Sequence, residues 1–214
     1  MDQEIEIINN ATRKERIINF FIKNKKKLIT ILIFFILILL GFFTYQIYKT
    51  GHQELLADKY NSAVTNYETE DKSKVIETMK EIINDKDKTY SPLALYFLID
   101  NDLLKSKDEI NNLFNIIIND VNLDKEIKYL IIYKKGLYNS EFVNEEKLLS
   151  ILNPVITSKS IWKSHALYLM AEYFFSKGEK IKSKEFYEQI ILLENSNLNI
   201  KIEAEKRIKR DFSE

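Results

Sequence analysis

Residues 28–48, LITILIFFILILLGFFTYQIY, carry no formal charge and are bounded by Lys27 and Lys49. A helix of that length, at about 1.5 Å rise per residue, reaches roughly 30 Å, the hydrocarbon thickness of a bilayer. Fifteen of these residues are Leu, Ile or Phe. Each favours insertion by roughly 0.3 to 0.6 kcal/mol near the helix centre, so Thr30, Thr44 and Gln46 do not cancel the gain. The expectation is a transmembrane helix. A buried helix of a soluble core seldom carries so long an uncharged run. A cleaved signal peptide would have a shorter apolar region followed by a small-x-small site, which is missing here.

The flanks give an orientation. Arg13, Lys14, Arg16, Lys23, Lys25, Lys26 and Lys27 precede the stretch, whereas only Lys49 and Lys59 are basic between positions 49 and 70. The positive-inside rule then keeps the N-terminus in the cytoplasm and sends the larger C-terminal part across the inner membrane to the periplasm. Phe42, Phe43, Tyr45 and Tyr48 fall at the exit end, where amphipathic rings favour the headgroup region. Three segments follow: a cytoplasmic amphipathic leader over 1–27, a transmembrane helix over 28–48 and a periplasmic domain over 49–214. In the leader, Ile5, Ile8, Ile17, Ile18, Phe20 and Phe21 are the apolar members and the lysine run lies beside the membrane. The leader reads either as a topology signal attracted to anionic lipid or as a docking peptide.

The part beyond the stretch, about 165 residues, is enough for one domain with a core. The chain holds 32 basic and 32 acidic residues, and the basic excess sits in the leader. The exported part is mildly acidic, and nucleic acid is not an expected partner. With no cysteine there can be no disulfide, thiolate metal site, cysteine nucleophile or lipid-anchoring cysteine. Four Gly and two Pro are few for a sheet with its turns, so an all-α domain is expected.

Helical periodicity recurs in pairs along that domain. Leu55, Leu56, Tyr60, Ala63, Val64 and Tyr67 precede a polar break at Glu70, Asp71 and Lys72, after which Val75, Ile76, Met79, Ile82 and Ile83 form a second stripe. Ser91 is placed to cap a helix with Pro92 at its first position, carrying Leu93, Tyr96, Phe97, Leu103 and Leu104. Ile110, Leu113, Phe114 and Ile117 follow. Asp124 opens a third pair, with Ile127, Leu130, Ile131 and Leu137, then Leu148, Leu149, Leu152 and Val155, where Pro154 weakens the helix end.

The stretch 161–195 is the most informative. Leu167, Met170, Ala171, Phe174, Gly178, Ser183, Tyr187 and Ile190 fall at the spacing of a helix–turn–helix repeat of about 34 residues. Ala171 and Ser183 are small residues for the crossing of the two helices, Phe174 and Tyr187 are aromatics beside it, and Gly178 permits the turn. Residues 198–212 read as a terminal capping helix. Successive pairs begin near 54, 90, 124, 161 and 198.

These residues resemble a tetratricopeptide repeat, although Leu167 stands where its signature Trp is usual and Asn195 where a Pro is usual. The layout of charged leader, single span and repeats resembles the bacterial inner-membrane family of tetratricopeptide-like ancillary SecYEG translocon subunits. The resemblance implies an α-solenoid of tetratricopeptide-like helix pairs. It further implies a protein-binding, chaperone-like role in which exported polypeptides are held at the translocon or handed to periplasmic chaperones.

No catalytic constellation stands out. His52 and His165 are the only histidines and belong to no metal-ligand motif. There is no nucleophile elbow and no phosphate-cradling loop. The pairs Asp100 with Asp102 and Glu145 with Glu146 read as solvated surface. Neither an enzyme, nor a cofactor or metal, nor a small-molecule substrate is expected. The candidate site is a peptide-binding groove on the first helix of the fourth pair, formed by His165, Tyr168, Glu172 and Phe175, whose rings offer rigid contact area and whose charge sets orientation. The expected partners are the lipid bilayer, translocon subunits, and exported polypeptides or periplasmic chaperones. A structural scaffold of an envelope or cell-division complex is the alternative.

Overall fold

The computed structural model describes residues 2–69 and 71–212, with side chains from residue 15 onward except that of Ile17. The side chains of Ile5, Ile8, Arg13, Lys14 and Ile17, and residue Glu70, lie outside the described part. Among the described residues the secondary structure is all helix: α1 (Asp2–Thr65), α2 (Lys72–Asn84), α3 (Tyr90–Asp100), α4 (Lys107–Asp120), α5 (Lys125–Asn139), α6 (Glu145–Ile156), α7 (Lys163–Ser176), α8 (Lys180–Leu192) and α9 (Leu198–Asp211). The chain divides into two compact units, one over positions 1–55 and one over Leu56–Glu214.

The first unit contains most of α1. Its apolar stretch has a mean hydropathy of 2.8 and is wholly unburied, making it a helix long and apolar enough to cross a membrane. The two threonines in this stretch are satisfied within the helix. Thr30 Oγ1 donates to the Lys26 carbonyl at 3.0 Å, and Thr44 Oγ1 donates to the Leu40 and Gly41 carbonyls, both at 3.0 Å. A hydroxyl turned back on its own helix leaves little polar surface for an apolar surrounding to reject.

In the second unit, side-chain caps start many of the helices. Asp71 accepts from the Ser73 amide, Ser106 from Glu109, Asn144 from Lys147, and Asn197 from Asn199 and Ile200. Each cap satisfies backbone N–H groups that the helix cannot pair itself. Two expected boundaries differ. Ser91 is not the cap of α3: Asp87 Oδ1 takes the amides of Thr89 and Tyr90 at 2.8 Å each. The buried Ser91 hydroxyl instead donates to the Ile82 carbonyl at 2.9 Å, tying α3 to the end of α2. Helix α3 also stops at Asp100, so Leu103 and Leu104 lie in the connection beyond it, where Leu104 is still buried.

From α2 onward each helix packs on the next in sequence. The pairs α2 with α4, α5 with α7, and α7 with α9 also touch. The apolar interior forms three successive clusters. The first runs from Leu56 to Ile131, the second from Ile132 to Phe174, and the third joins Leu167, Ala171, Tyr187, Ile190 and Ala204. Each fully buried Leu, Ile or Phe contributes roughly 1.5 to 3 kcal/mol. A reciprocal carboxamide pair joins α4 to α5, with Asn111 Nδ2 donating to Asn139 Oδ1 at 3.0 Å and Asn139 Nδ2 to Asn111 Oδ1 at 2.9 Å.

Helices meet closely where small residues allow it. At the α7–α8 crossing Ala171 and Ser183 are both fully buried, and Ser183 Oγ donates to the Ala171 carbonyl at 2.9 Å. Gly178, with φ of 78°, makes the turn between them. At the α5–α6 crossing the small residue is Gly136, where an added Cβ would collide with the Leu152 side chain. Gly136 to Ala is therefore expected to destabilise the second unit by about 1–3 kcal/mol through overpacking. The Leu152 to Ala background should abolish that penalty, as read by denaturant unfolding of the four variants of the cycle.

Candidate functional site

Helix α7 carries all four expected groove residues, and the structure divides them. Tyr168, Glu172 and Phe175 recur along one face and are half-buried beneath α9. Arg207 of α9 forks onto Glu172, with Nε at 2.7 Å from Oε1 and Nη2 at 2.5 Å from Oε2. Its third arm, Nη1, reaches Asp211 Oδ2 at 2.6 Å, one turn further along α9. The guanidinium lies 4.5 Å from the centre of the Phe175 ring, and Phe212 meets that ring edge-on at 5.9 Å. Tyr187 of α8 donates its hydroxyl to Glu172, and its ring packs edge-on against Tyr168 at 5.6 Å. Planar bidentate pairing over an aromatic face suits arginine far better than lysine.

The electrostatics follow from this packing. Burial alone would raise the Glu172 carboxyl, but the Arg207 guanidinium and the Tyr187 and Tyr168 hydroxyls outweigh it and hold the group below its usual range. Burial, followed by the neighbouring Glu172 carboxylate, pushes Tyr168 up to about 12. Arg207 is raised further, chiefly by its hydrogen bonds to Glu172. Three of the four residues are thus engaged within the chain, holding α9 against α7 and α8.

His165 stands apart from them, on the first turns of α7. Its ring lies 5.1 Å from Trp162 and 5.8 Å from Tyr133 of α5, and Tyr133 stacks on Trp162 at 6.1 Å. Nδ1 is buried with no partner in hydrogen-bonding geometry. Burial lowers the affinity of the ring for a proton, and the Ile161 carbonyl one turn back offsets this only in part. The proton-free imidazole is the form this environment favours.

One carboxylate of each expected pair is engaged in a surface ion pair. Asp102 pairs with Lys105 at 2.6 Å, and Glu145 with Lys182 at 2.8 Å, the latter joining α6 to α8. Among the described residues no group of three His, Cys, Asp or Glu is placed to hold a metal ion.

Sequence reasoning missed two features. Arg207, Asp211 and Phe212 complete the α7 cluster from 35 or more residues away, and only the cationic residues near the end of α9 hinted at them. The second is a recurrence of exposed apolar residues at the start of alternate helices: Leu93 on α3, Ile127 on α5, Ile161 just before α7 and Leu198 on α9, exposed by 40, 42, 65 and 68%. Their mutual spacing of 34, 34 and 37 residues was the available signal. No family model, curated protein or solved structure matches the chain.

Two outcomes test the α7 cluster. Glu172 to Gln should cost about 1–3 kcal/mol, since it leaves the mostly buried Arg207 with half of its pairing, and should expose α9 to proteolysis ahead of the rest of the unit. The Glu172 carboxyl binds its proton more weakly in the folded than in the unfolded chain. Its contribution is therefore complete above the unfolded value of about 4.3 and disappears as the pH falls through the lower folded value. Thermal melts of wild type and Glu172 to Gln between pH 7 and 3 should converge at the acid end.

Proposed function

We propose that this chain is a single-pass inner-membrane protein that binds other polypeptides through its helical unit. Residues 28–48 cross the bilayer, the lysine-rich N-terminal side faces the cytoplasm, and the Leu56–Glu214 unit faces the periplasm. The unit is read as an α-solenoid of tetratricopeptide-like pairs. In support, the alternate helices α3, α5, α7 and α9 start at Tyr90, Lys125, Lys163 and Leu198, which are 35, 38 and 35 residues apart. By the resemblance noted in the sequence, the role is that of an ancillary translocon subunit that holds exported polypeptides or passes them to periplasmic chaperones. Tethering raises the local concentration of the binding surface, so modest affinity suffices.

The observation that carries this reading is the recurrence of exposed apolar residues, Leu93, Ile127, Ile161 and Leu198, at the start of successive alternate helices. Single exposed apolar side chains are ordinary, but exposed apolar residues that recur with the repeat length offer contact positions for extended apolar segments. A second reading, a fixed scaffold of an envelope or division complex, needs no open peptide groove, and Tyr168, Glu172 and Phe175 are engaged with α9 inside the chain.

The readings separate by site-specific photocrosslinking in intact cells. Probes at Leu93 and Ile127 should capture many nascent chains, while one at the exposed Ile181 of α8 should capture few. A single stoichiometric adduct at Leu93 and Ile127 would favour the scaffold. The anchor is tested separately: the intact chain should resist carbonate extraction, and protease added to spheroplasts should degrade the C-terminal unit.

A further inference from the structure

Between the turn that leads into α7 and the turn from α8 to α9 lies a recess of about 390 Å³, lined by Ile161, Trp162, His165, Asn195, Ser196 and Asn197. Its volume falls within the range of small-ligand sites, roughly 300 to 1,000 Å³. None of these side chains bears a formal charge, and His165 is held toward its neutral form by burial. Trp162 is held by the stacked Tyr133 ring and flanked by His165. Asn197 spends its side-chain oxygen on the α9 amides, which leaves its amino group as a donor. The exposed Asn195 carboxamide offers both a donor and an acceptor.

An indole and an imidazole among uncharged carboxamides suit a neutral ring that carries hydroxyls on its edge and C–H groups on its face. That is the surface of a pyranose. A peptide bound here would need a longer run of side-chain pockets, and a free anion would find no cation within the recess. A second recess of about 460 Å³ adjoins the first and shares Asn195. It adds Lys159 and Lys163 beside the carboxylate of Glu194, while the nearby Glu126 carboxylate is taken up by the Ser160 hydroxyl and the Ile161 amide.

We infer that the Trp162–Asn195 recess binds the ring of a saccharide whose adjoining unit carries a carboxylate, with the uncharged ring against Trp162 and the carboxylate toward Lys159 and Lys163. The site is separate from the row of apolar residues assigned to polypeptide contact, except where Ile161 borders both. It supplies recognition and no chemical step.

Trp162 is the only tryptophan of the chain, so its fluorescence reports this site directly. The full-length protein, in a detergent without a sugar headgroup, is titrated with the disaccharide of N-acetylglucosamine and N-acetylmuramic acid. A saturable change with a Kd between about 0.1 and 10 mM is expected. Asn195 to Ala should weaken binding about tenfold, the loss of one or two hydrogen bonds, with an unaltered helical spectrum because Asn195 is exposed. The double variant Lys159 to Ala, Lys163 to Ala should lower affinity for the acidic disaccharide to that of neutral diacetylchitobiose, which binds more weakly to the wild type. The inference is overturned by no saturable change up to about 10 mM, by equal affinity of the wild type for the two disaccharides, or by the same response to an acidic peptide. Photocrosslinking at Leu93 and Ile127 is independent of this result.

Discussion

No helix of the Leu56–Glu214 unit can bury its own apolar stripe, and the structure depends on how each one borrows a surface from its neighbours. Contacts run from helix to next helix and to next but one, so burial accumulates locally and the interior divides into three clusters along the chain. Close approach is what makes this burial complete. It occurs where side chains are smallest, at Ala171 with Ser183 and at Gly136 under Leu152. Long surface pairs such as Lys80 with Glu109 and Lys182 with Glu145 bridge α2 to α4 and α6 to α8, but such exposed pairs each contribute little.

Two of the stripes were legible in the sequence because period and burial coincide, whereas Leu93 and Ile127, counted with the stripes of α3 and α5, are exposed, as are Leu55, Leu137 and Leu149. Val75, Met79, Ile82 and Ile83, and likewise Ile110, Leu113, Phe114 and Ile117, are read at helical spacing and are buried in the structure. The α7–α8 turn was legible for a steric reason, since Gly178 takes a φ that a side chain would resist. The α5–α6 crossing was not. Gly136 lies eleven residues after the start of its helix, whereas Ala171 lies eight after the start of α7, so the crossing has moved one turn and left the expected register. The cap of α3 was misread because the helix begins before Ser91, at Tyr90, so the Ser91 hydroxyl lies within the first turn and turns to the Ile82 carbonyl while Asp87 Oδ1 takes the amides of Thr89 and Tyr90.

The expected groove shows the same limit at longer range. Helical spacing correctly placed Tyr168, Glu172 and Phe175 on one face of α7. It carried no information about what would lie across from them, because Arg207 lies on, and Phe212 just past, a helix one repeat length away. His165 shares the spacing but sits near the start of α7, where Trp162 and Tyr133 surround it instead. One face of a helix thus meets different neighbours at its two ends.

The reciprocal Asn111–Asn139 pair has a consequence for alignment. Two carboxamides exchange donor and acceptor only when their helices stand at a single axial offset. Sliding α4 along α5 by one turn, about 5.4 Å, would break both bonds of the exchange and leave the side-chain oxygen of the buried Asn139 without its partner, at a cost of about 1–3 kcal/mol. Aliphatic stripes tolerate such a slip far better, since one methyl group packs much like another. Lying where the first apolar cluster gives way to the second, the pair acts as a key that indexes the later helices to the earlier ones.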